Sequence, residues 1–86
     1  MDINDLISIV KKKIQNEIEI EDINIEDKSF LHKNHPNNQK DKFHLKVKLK
    51  SNELKKMSKI ESNKKIYKIL QNEMKHFIHS LQILID

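Results

Sequence analysis

The sequence of 86 residues has no cysteine, no glycine, no arginine, no tryptophan and a single proline. Without cysteine, the chain has no disulfide, no thiolate nucleophile and no cysteine-ligated zinc, which is compatible with a reducing compartment. Because every basic residue is lysine, the chain lacks the bidentate guanidinium that best reads guanine edges. No stretch approaches the ~20 apolar residues of a membrane span. Asp2 and Asp5 precede any basic residue, unlike a signal peptide. We therefore expect a cytoplasmic protein with no membrane partner.

The composition is that of a small globular domain with a heavily charged surface. The chain is 36% hydrophobic and 35% charged, with a formal net charge of +4. A chain of this size buries only about 60–65% of its unfolded surface, so one modest core is expected and a deep active site would compete with it. Ser29 and His32 share one loop, but no third catalytic member is evident. We expect a single domain over 1–86, with no catalytic residues, that is not an enzyme.

Periodicity of the apolar residues predicts the secondary structure. The predicted elements are a helix over 3–16, strands over 22–27 and 43–50, a helical turn over 52–56, a helix over 59–76 and a strand over 79–85. Residues 28–42 form a polar loop, predicted to be flexible because it has little to bury. The predicted fold is α+β, in the order α-β-β-α-α-β, with a three-stranded mixed sheet and helices on one face.

Several side chains are predicted to occupy particular positions in this fold. Asp2 is expected to cap the first helix, and Ser58 with Glu61 matches a capping box in which each satisfies an N–H of the other. Strand 43–50 alternates, which predicts an apolar buried face and a solvated basic face that includes His44. Tyr67 lies on the apolar stripe of its helix and is expected in the core.

Four segments in this order and spacing resemble the BolA-like family. They are 27–32 (DKSFLH), 44–51 (HLKVKLKS), 66–73 (IYKILQNE) and 78–81 (IHSL). The resemblance covers nearly the whole chain and implies a topology like that of class II KH domains. In two places the chain departs from the family pattern. The usual Arg-His-Arg before the tyrosine is here Ser62-Asn63-Lys64, which weakens a DNA-binding interpretation, and Lys56 replaces a turn glycine.

The resemblance implies a partnership with a monothiol glutaredoxin, in which the two proteins share a labile [2Fe–2S] cluster with glutathione. The implied ligands on this chain are His79 and His32, with His35 as a substitute for His32. No cofactor is expected in the isolated protein, which is expected to be a monomer. From pattern alone, the favoured interpretation is that His79 is a hydrogen-bonded histidine at a helix–strand junction and His32 a solvated loop residue, and only the family resemblance favours them as ligands.

Nucleic acid is the alternative partner, because some BolA-like proteins act as DNA-binding transcription factors. Lysines cluster across the predicted turn and the start of the long helix, and they are Lys55, Lys56, Lys59, Lys64, Lys65 and Lys68. Such a cluster can contact phosphates without reading bases. Ordinary solvation of an exposed face explains the same pattern.

Overall fold

A computed structural model describes residues 1–29 and 42–86. The elements in chain order are α1 (Ile3–Glu17), β1 (Asp22–Asp27), β2 (Phe43–Lys50), α2 (Asn52–Lys55), α3 (Lys59–Ile69), α4 (Gln71–His76) and β3 (Ile78–Ile85). The predicted α+β class is confirmed, and most element bounds agree with the prediction to within one residue. The flexibility predicted for 28–42 concerns a loop of which residues 30–41 lie outside the described residues.

Helix α1 forms because its apolar residues recur at helical spacing and share one buried face. Leu6, Val10 and Ile14 are all buried on that face. Asp2 is at the N-cap position, but its side chain makes no capping hydrogen bond, so that prediction was wrong. The helix ends where Ile18 adopts extended backbone. Within 1–29 and 42–86, no helix is both long enough and apolar enough to cross a membrane.

The sheet has the strand order β1-β2-β3, with β2 in the centre. Strand β1 pairs antiparallel with β2, with Ile23 opposite Leu49, and β3 pairs parallel with β2, so the predicted mixed sheet is confirmed. Alternate residues of β2 contribute to one core with the helices, because successive side chains point to opposite faces. The buried core residues are Leu6, Val10, Ile14, Ile18, Ile23, Leu45, Val47, Leu49, Leu54, Ile66, Leu70, Ile78 and Leu81.

Two serines organise the turn between the sheet and α3. Ser51 is buried, accepts a hydrogen bond from the Leu54 N–H at 3.2 Å and caps α2. Ser58 accepts from the Glu61 N–H at 3.1 Å, and its hydroxyl donates to the Glu61 carboxylate at 3.2 Å. Half of the predicted capping box is therefore confirmed, because Ser58 satisfies the Glu61 N–H, whereas the Glu61 carboxylate accepts from the Ser58 hydroxyl and not from the Ser58 N–H. Lys56 adopts φ −76° and ψ −13°, so no glycine is needed there.

The single helix predicted over 59–76 is two helices, separated at Leu70. Leu70 has φ −98° and ψ 18°, outside the helical range, and its side chain is fully buried. The Leu70 N–H still donates to the Ile66 carbonyl at 3.0 Å, and the Leu70 carbonyl accepts from Met74 at 2.8 Å. Two helices that keep one apolar face in phase have the same periodicity as one helix, which is why the pattern did not reveal the break.

Candidate functional site

A β-bulge at the start of β3 contains His79. Phe43 is opposite Ile78 and His44 is opposite Ser80, so His79 is an extra residue between two consecutive pairs. Bulges bend a strand and re-aim a side chain, and they are frequent beside functional sites. The His79 side chain is exposed at this bulge. The structure thus presents the imidazole that the family resemblance singled out, at the end of the sheet from which β2 begins.

His44 lies directly beside His79. The two ring centroids are 4.9 Å apart, with the planes inclined at 58°. Nδ1 of His44 is 2.6 Å from the Ser80 hydroxyl, and either atom can carry the shared proton. His44 was predicted on a solvated face, but it is only 6% exposed. Strand alternation correctly predicted that His44 and Leu45 lie on opposite faces of the sheet. It did not predict the burial of His44, because His79 and Ser80, which contact its ring, belong to β3.

The chain on both sides of residues 30–41 is anchored to this same end of the sheet. The Lys28 N–H donates to the His44 carbonyl at 2.7 Å, and the His44 N–H donates to the Ser29 hydroxyl at 3.1 Å. The Phe43 N–H donates to the Phe77 carbonyl at 2.9 Å. His32 and His35, the other predicted ligands, lie outside the described residues.

An ion pair between a partly exposed lysine and a buried glutamate joins α1 to α4, the helix that precedes β3. Lys13 Nζ is 2.7 Å from Glu73 Oε2, and the side chains are 42% and 4% exposed. Burial raises the pKa of Glu73, but the hydrogen bond from Lys13, with smaller contributions from the Glu73 backbone and Asn72, lowers that pKa below its ordinary value of 4.5. The other carboxylate oxygen, Oε1, is buried and has no partner within the described residues. The charge of Lys13 therefore compensates most of the cost of burying Glu73.

The six lysines proposed as a nucleic-acid surface are divided among three environments. Lys65 forms an ion pair with Glu53 at 2.7 Å, which lowers the pKa of that carboxyl together with a backbone hydrogen bond from Glu19. Lys68, with Lys65, lines a depression between α1 and α3. Lysines 55 and 59 line a different groove beside β3, and lysines 56 and 64 are exposed. That these lysines form a nucleic-acid surface stays a prediction.

No group of three or more histidine, cysteine, aspartate or glutamate side chains converges on a metal site within residues 1–29 and 42–86. His79 with His44 is the pair of imidazoles that the described chain brings together. Imidazole nitrogen is a suitable ligand for iron. The described residues alone thus offer fewer ligands than a complete coordination sphere.

Comparison with known proteins agrees with this architecture. A family model described as "BolA-like protein" matches residues 14–85. The chain belongs to the BolA-like family. It is 32% identical over 75 residues to the "DNA-binding transcriptional regulator BolA" of Haemophilus influenzae, a match covering 87% of this chain and 70% of that protein.

Solved structures of BolA-like domains share the fold. BolA1 from Arabidopsis thaliana superposes with a TM-score of 0.76 and 27% identity, covering 91% of this chain and 86% of that one. The BolA domain of SufE1 from the same plant gives a TM-score of 0.78 and 24% identity, covering 92% and 87%. The latter similarity supports the fold alone.

The structure corrects one further prediction, which rested on the apolar stripe of the predicted helix 59–76. Tyr67 was expected in the core but is 40% exposed, and its hydroxyl donates to the Leu81 carbonyl at 3.0 Å. The tyrosine therefore joins α3 to strand β3 through a hydrogen bond at the strand's edge. An amphipathic stripe predicts which side of a helix faces the protein, but it does not predict where that stripe reaches the boundary of the core.

Proposed function

We propose that this BolA-like protein is a non-enzymatic cytoplasmic adaptor that binds a monothiol glutaredoxin and shares a [2Fe–2S] cluster with it. The cluster is the cargo of the pair, delivered to other proteins or used in iron and redox regulation. The observation that supports the proposal most strongly is the bulge that exposes His79 beside His44. This chain has no cysteine, so in the proposed complex the thiolate ligands come from glutaredoxin and glutathione.

In the proposed complex, this chain contributes His79 and His32, with His35 able to replace His32. His44 orients the site, because its ring packs against His79 and its Nδ1 is hydrogen-bonded to Ser80. Replacing two thiolates by imidazoles on one iron raises the reduction potential of a [2Fe–2S] cluster. Such a cluster would have a higher reduction potential than one held by four thiolates. The isolated adaptor is proposed to be a monomer without a cofactor.

The test is to mix the protein with cluster-loaded monothiol glutaredoxin and glutathione. We expect a change in visible absorption and circular dichroism, and a heterocomplex on gel filtration. His79→Ala should abolish the spectral change. His76→Ala is the matched control, since His76 is an exposed histidine at the end of α4, outside the bulge. An unchanged spectrum with the wild-type protein, or equal loss in both variants, would contradict the proposal.

Nucleic-acid binding is the second candidate function. It is favoured by the name of the Haemophilus relative and by Lys56 and Lys64, which are exposed and form no ion pair within the described residues. Fluorescence anisotropy with duplex DNA at several salt concentrations tests it. Counterion release predicts a log–log salt slope of about −0.9 per phosphate contacted. Absence of binding at low salt would exclude this candidate.

A further inference from the structure

Strand β3 presents an open edge on the side away from β2. Because β3 is the last strand in the sheet order, one side of its backbone has no neighbouring strand within the described residues. The Leu81 carbonyl points to this open side, because it accepts a hydrogen bond from the Tyr67 hydroxyl at 3.0 Å. The Asp86 N–H points to the opposite side, because it donates to the Leu49 carbonyl of β2 at 2.8 Å. Backbone groups alternate along a strand. The N–H and C=O groups of Ile83 and Ile85 therefore point outward, as those of Leu81 do.

A groove runs along this open edge, which we call the β3 groove. Its volume is about 340 Å³, and it separates the end of β3 from the α2–α3 turn. Its lining residues are Leu54, Lys55, Met57, Lys59, Ser62, Asn63, Ile83, Leu84 and Ile85. Leu54 and Met57 from the helical side and Ile83 and Ile85 from the strand make it mostly apolar. Leu84, at the same edge, is 42% exposed.

Among the polar residues of the β3 groove, Ser62 donates its hydroxyl to the Lys59 carbonyl at 3.0 Å, whereas the two lysines form no ion pair within residues 1–29 and 42–86. Lys55 and Lys59 differ in this from Lys65, which is paired with Glu53. The Asn63 Oδ1 atom is buried and accepts no hydrogen bond in the described part of the chain. A buried acceptor without a donor is costly. The groove thus offers the two cations Lys55 and Lys59, unpaired among the described residues, to whatever occupies it.

We propose that the β3 groove binds an extended, acidic peptide segment of a partner protein, which adds a strand to the edge of β3. Backbone groups of the peptide pair with Ile83 and Ile85, its carboxylates meet Lys55 and Lys59, and an apolar side chain contacts Met57, which is half-buried. An extended peptide supplies the alternating donors and acceptors that a strand edge requires. Single-stranded nucleic acid binds through stacking on aromatic rings, and no aromatic residue lines this groove.

This site is separate from the proposed glutaredoxin site. From His79 to Ile85, β3 extends over about 20 Å at the rise of a β-strand. A peptide in the β3 groove can therefore be bound while the bulge at the other end of the strand is occupied. The adaptor would then hold a client or a regulator at one end of β3 and the cluster at the other.

The test uses the full chain and a short fluorescein-labelled peptide of alternating glutamate and valine residues. We expect binding by fluorescence anisotropy, and weaker binding of a matched peptide with lysine in place of glutamate. Lys55→Glu/Lys59→Glu should weaken binding by about tenfold, as expected for two exposed ion pairs. Lys11→Glu/Lys12→Glu is the matched control, because it makes the same change in net charge on the exposed face of α1. His79→Ala should bind the peptide like the wild-type protein, which separates this proposal from the glutaredoxin one.

Amide hydrogen exchange on the labelled full chain tests the strand pairing directly. Saturating peptide should slow exchange of the Ile83 and Ile85 amides, and Ile85→Pro, which removes one outward N–H, should weaken binding. Exchange at Ile83 and Ile85 that is unchanged at saturation would overturn the proposal, as would equal affinity for the glutamate and lysine peptides. Tighter binding of a single-stranded oligothymidylate that displaces the peptide would assign the groove to nucleic acid and overturn it as well.

Discussion

Replacing Lys13 by methionine should reveal the cost of burying Glu73 without its cation. The Lys13→Met variant keeps the length and apolar stem of the side chain but removes the ammonium that lies 2.7 Å from Glu73. Glu73 is only 3% exposed, and its other oxygen already lacks a partner within the described residues. The variant therefore leaves a buried carboxylate with little compensation.

The free energy of unfolding that Lys13→Met removes should lie between the contributions of a buried ion pair and an exposed one. Removing one partner of a buried ion pair costs about 3–5 kcal/mol, whereas exposed pairs contribute about 0–1 kcal/mol. Because the Lys13 side chain is 42% exposed and that of Glu73 is 4% exposed, an intermediate value is expected. We expect Lys13→Met to lower the free energy of unfolding by about 2 kcal/mol near pH 7. For a domain of this size, the melting temperature falls by about 8–16 °C.

The penalty should depend on pH in a defined direction. Although burial raises the Glu73 pKa, the Lys13 hydrogen bond and smaller contributions hold it below 4.5, so the pair stabilises the fold above pH 4.5. That stabilisation is lost as the pH falls through the lower pKa of the folded state. In Lys13→Met, burial still raises the Glu73 pKa, but the ammonium of Lys13 that lowers it is gone. The Glu73 pKa is therefore higher in the variant than in the wild-type protein. The penalty should therefore be smaller at pH 3 than at pH 7.

Urea unfolding at pH 7 and pH 3, followed by circular dichroism, measures this difference. Lys12→Met is the matched control, because Lys12 is an exposed neighbour on the same helix with no ion pair in the described structure. Its stability should differ from that of the wild-type protein by less than about 0.5 kcal/mol at both pH values. An equal penalty for Lys13→Met at pH 7 and pH 3 would refute the argument, since it would assign the loss to packing and not to charge.

Three further substitutions test other parts of the structure by the same unfolding assay. Ser51→Ala should cost about 1–2 kcal/mol because it removes the cap on the Leu54 N–H, and a loss below about 0.3 kcal/mol would show that the cap is dispensable. Leu70→Ala should cost about 2–5 kcal/mol because Leu70 is fully buried where α3 meets α4, and a near-neutral result would contradict its place in the core. Lys65→Met should cost less than about 1 kcal/mol because its pair with Glu53 is partly exposed, and a loss above 2 kcal/mol would contradict this.

The secondary-structure elements and the family could be predicted from the sequence. Apolar periodicity predicted α1, and the alternation of β2 predicted which of its residues enter the core. The resemblance at 78–81 singled out His79 as a ligand, which stays a prediction. The predictions from periodicity succeed because helical and strand periods are properties of short segments, which need no knowledge of their neighbours.

Other features of the site depend on contacts between distant segments. Glu73 belongs to the 66–73 motif, but only the approach of α1 shows that it is buried with Lys13. His44 was assigned to a solvated face because the sequence of β2 does not contain the β3 residues that cover it. The break at Leu70 was likewise invisible, since both helices keep the same apolar phase.

What the sequence alone determined is local: the type and order of the elements and the capping serine at 58. The tertiary structure decided which groups meet. The parallel pairing of β3 with β2 creates the bulge at His79, brings His44 against it and leaves the other edge of β3 open. The reason is physical, because register and packing are set by long-range contacts whose partners lie far apart in the chain.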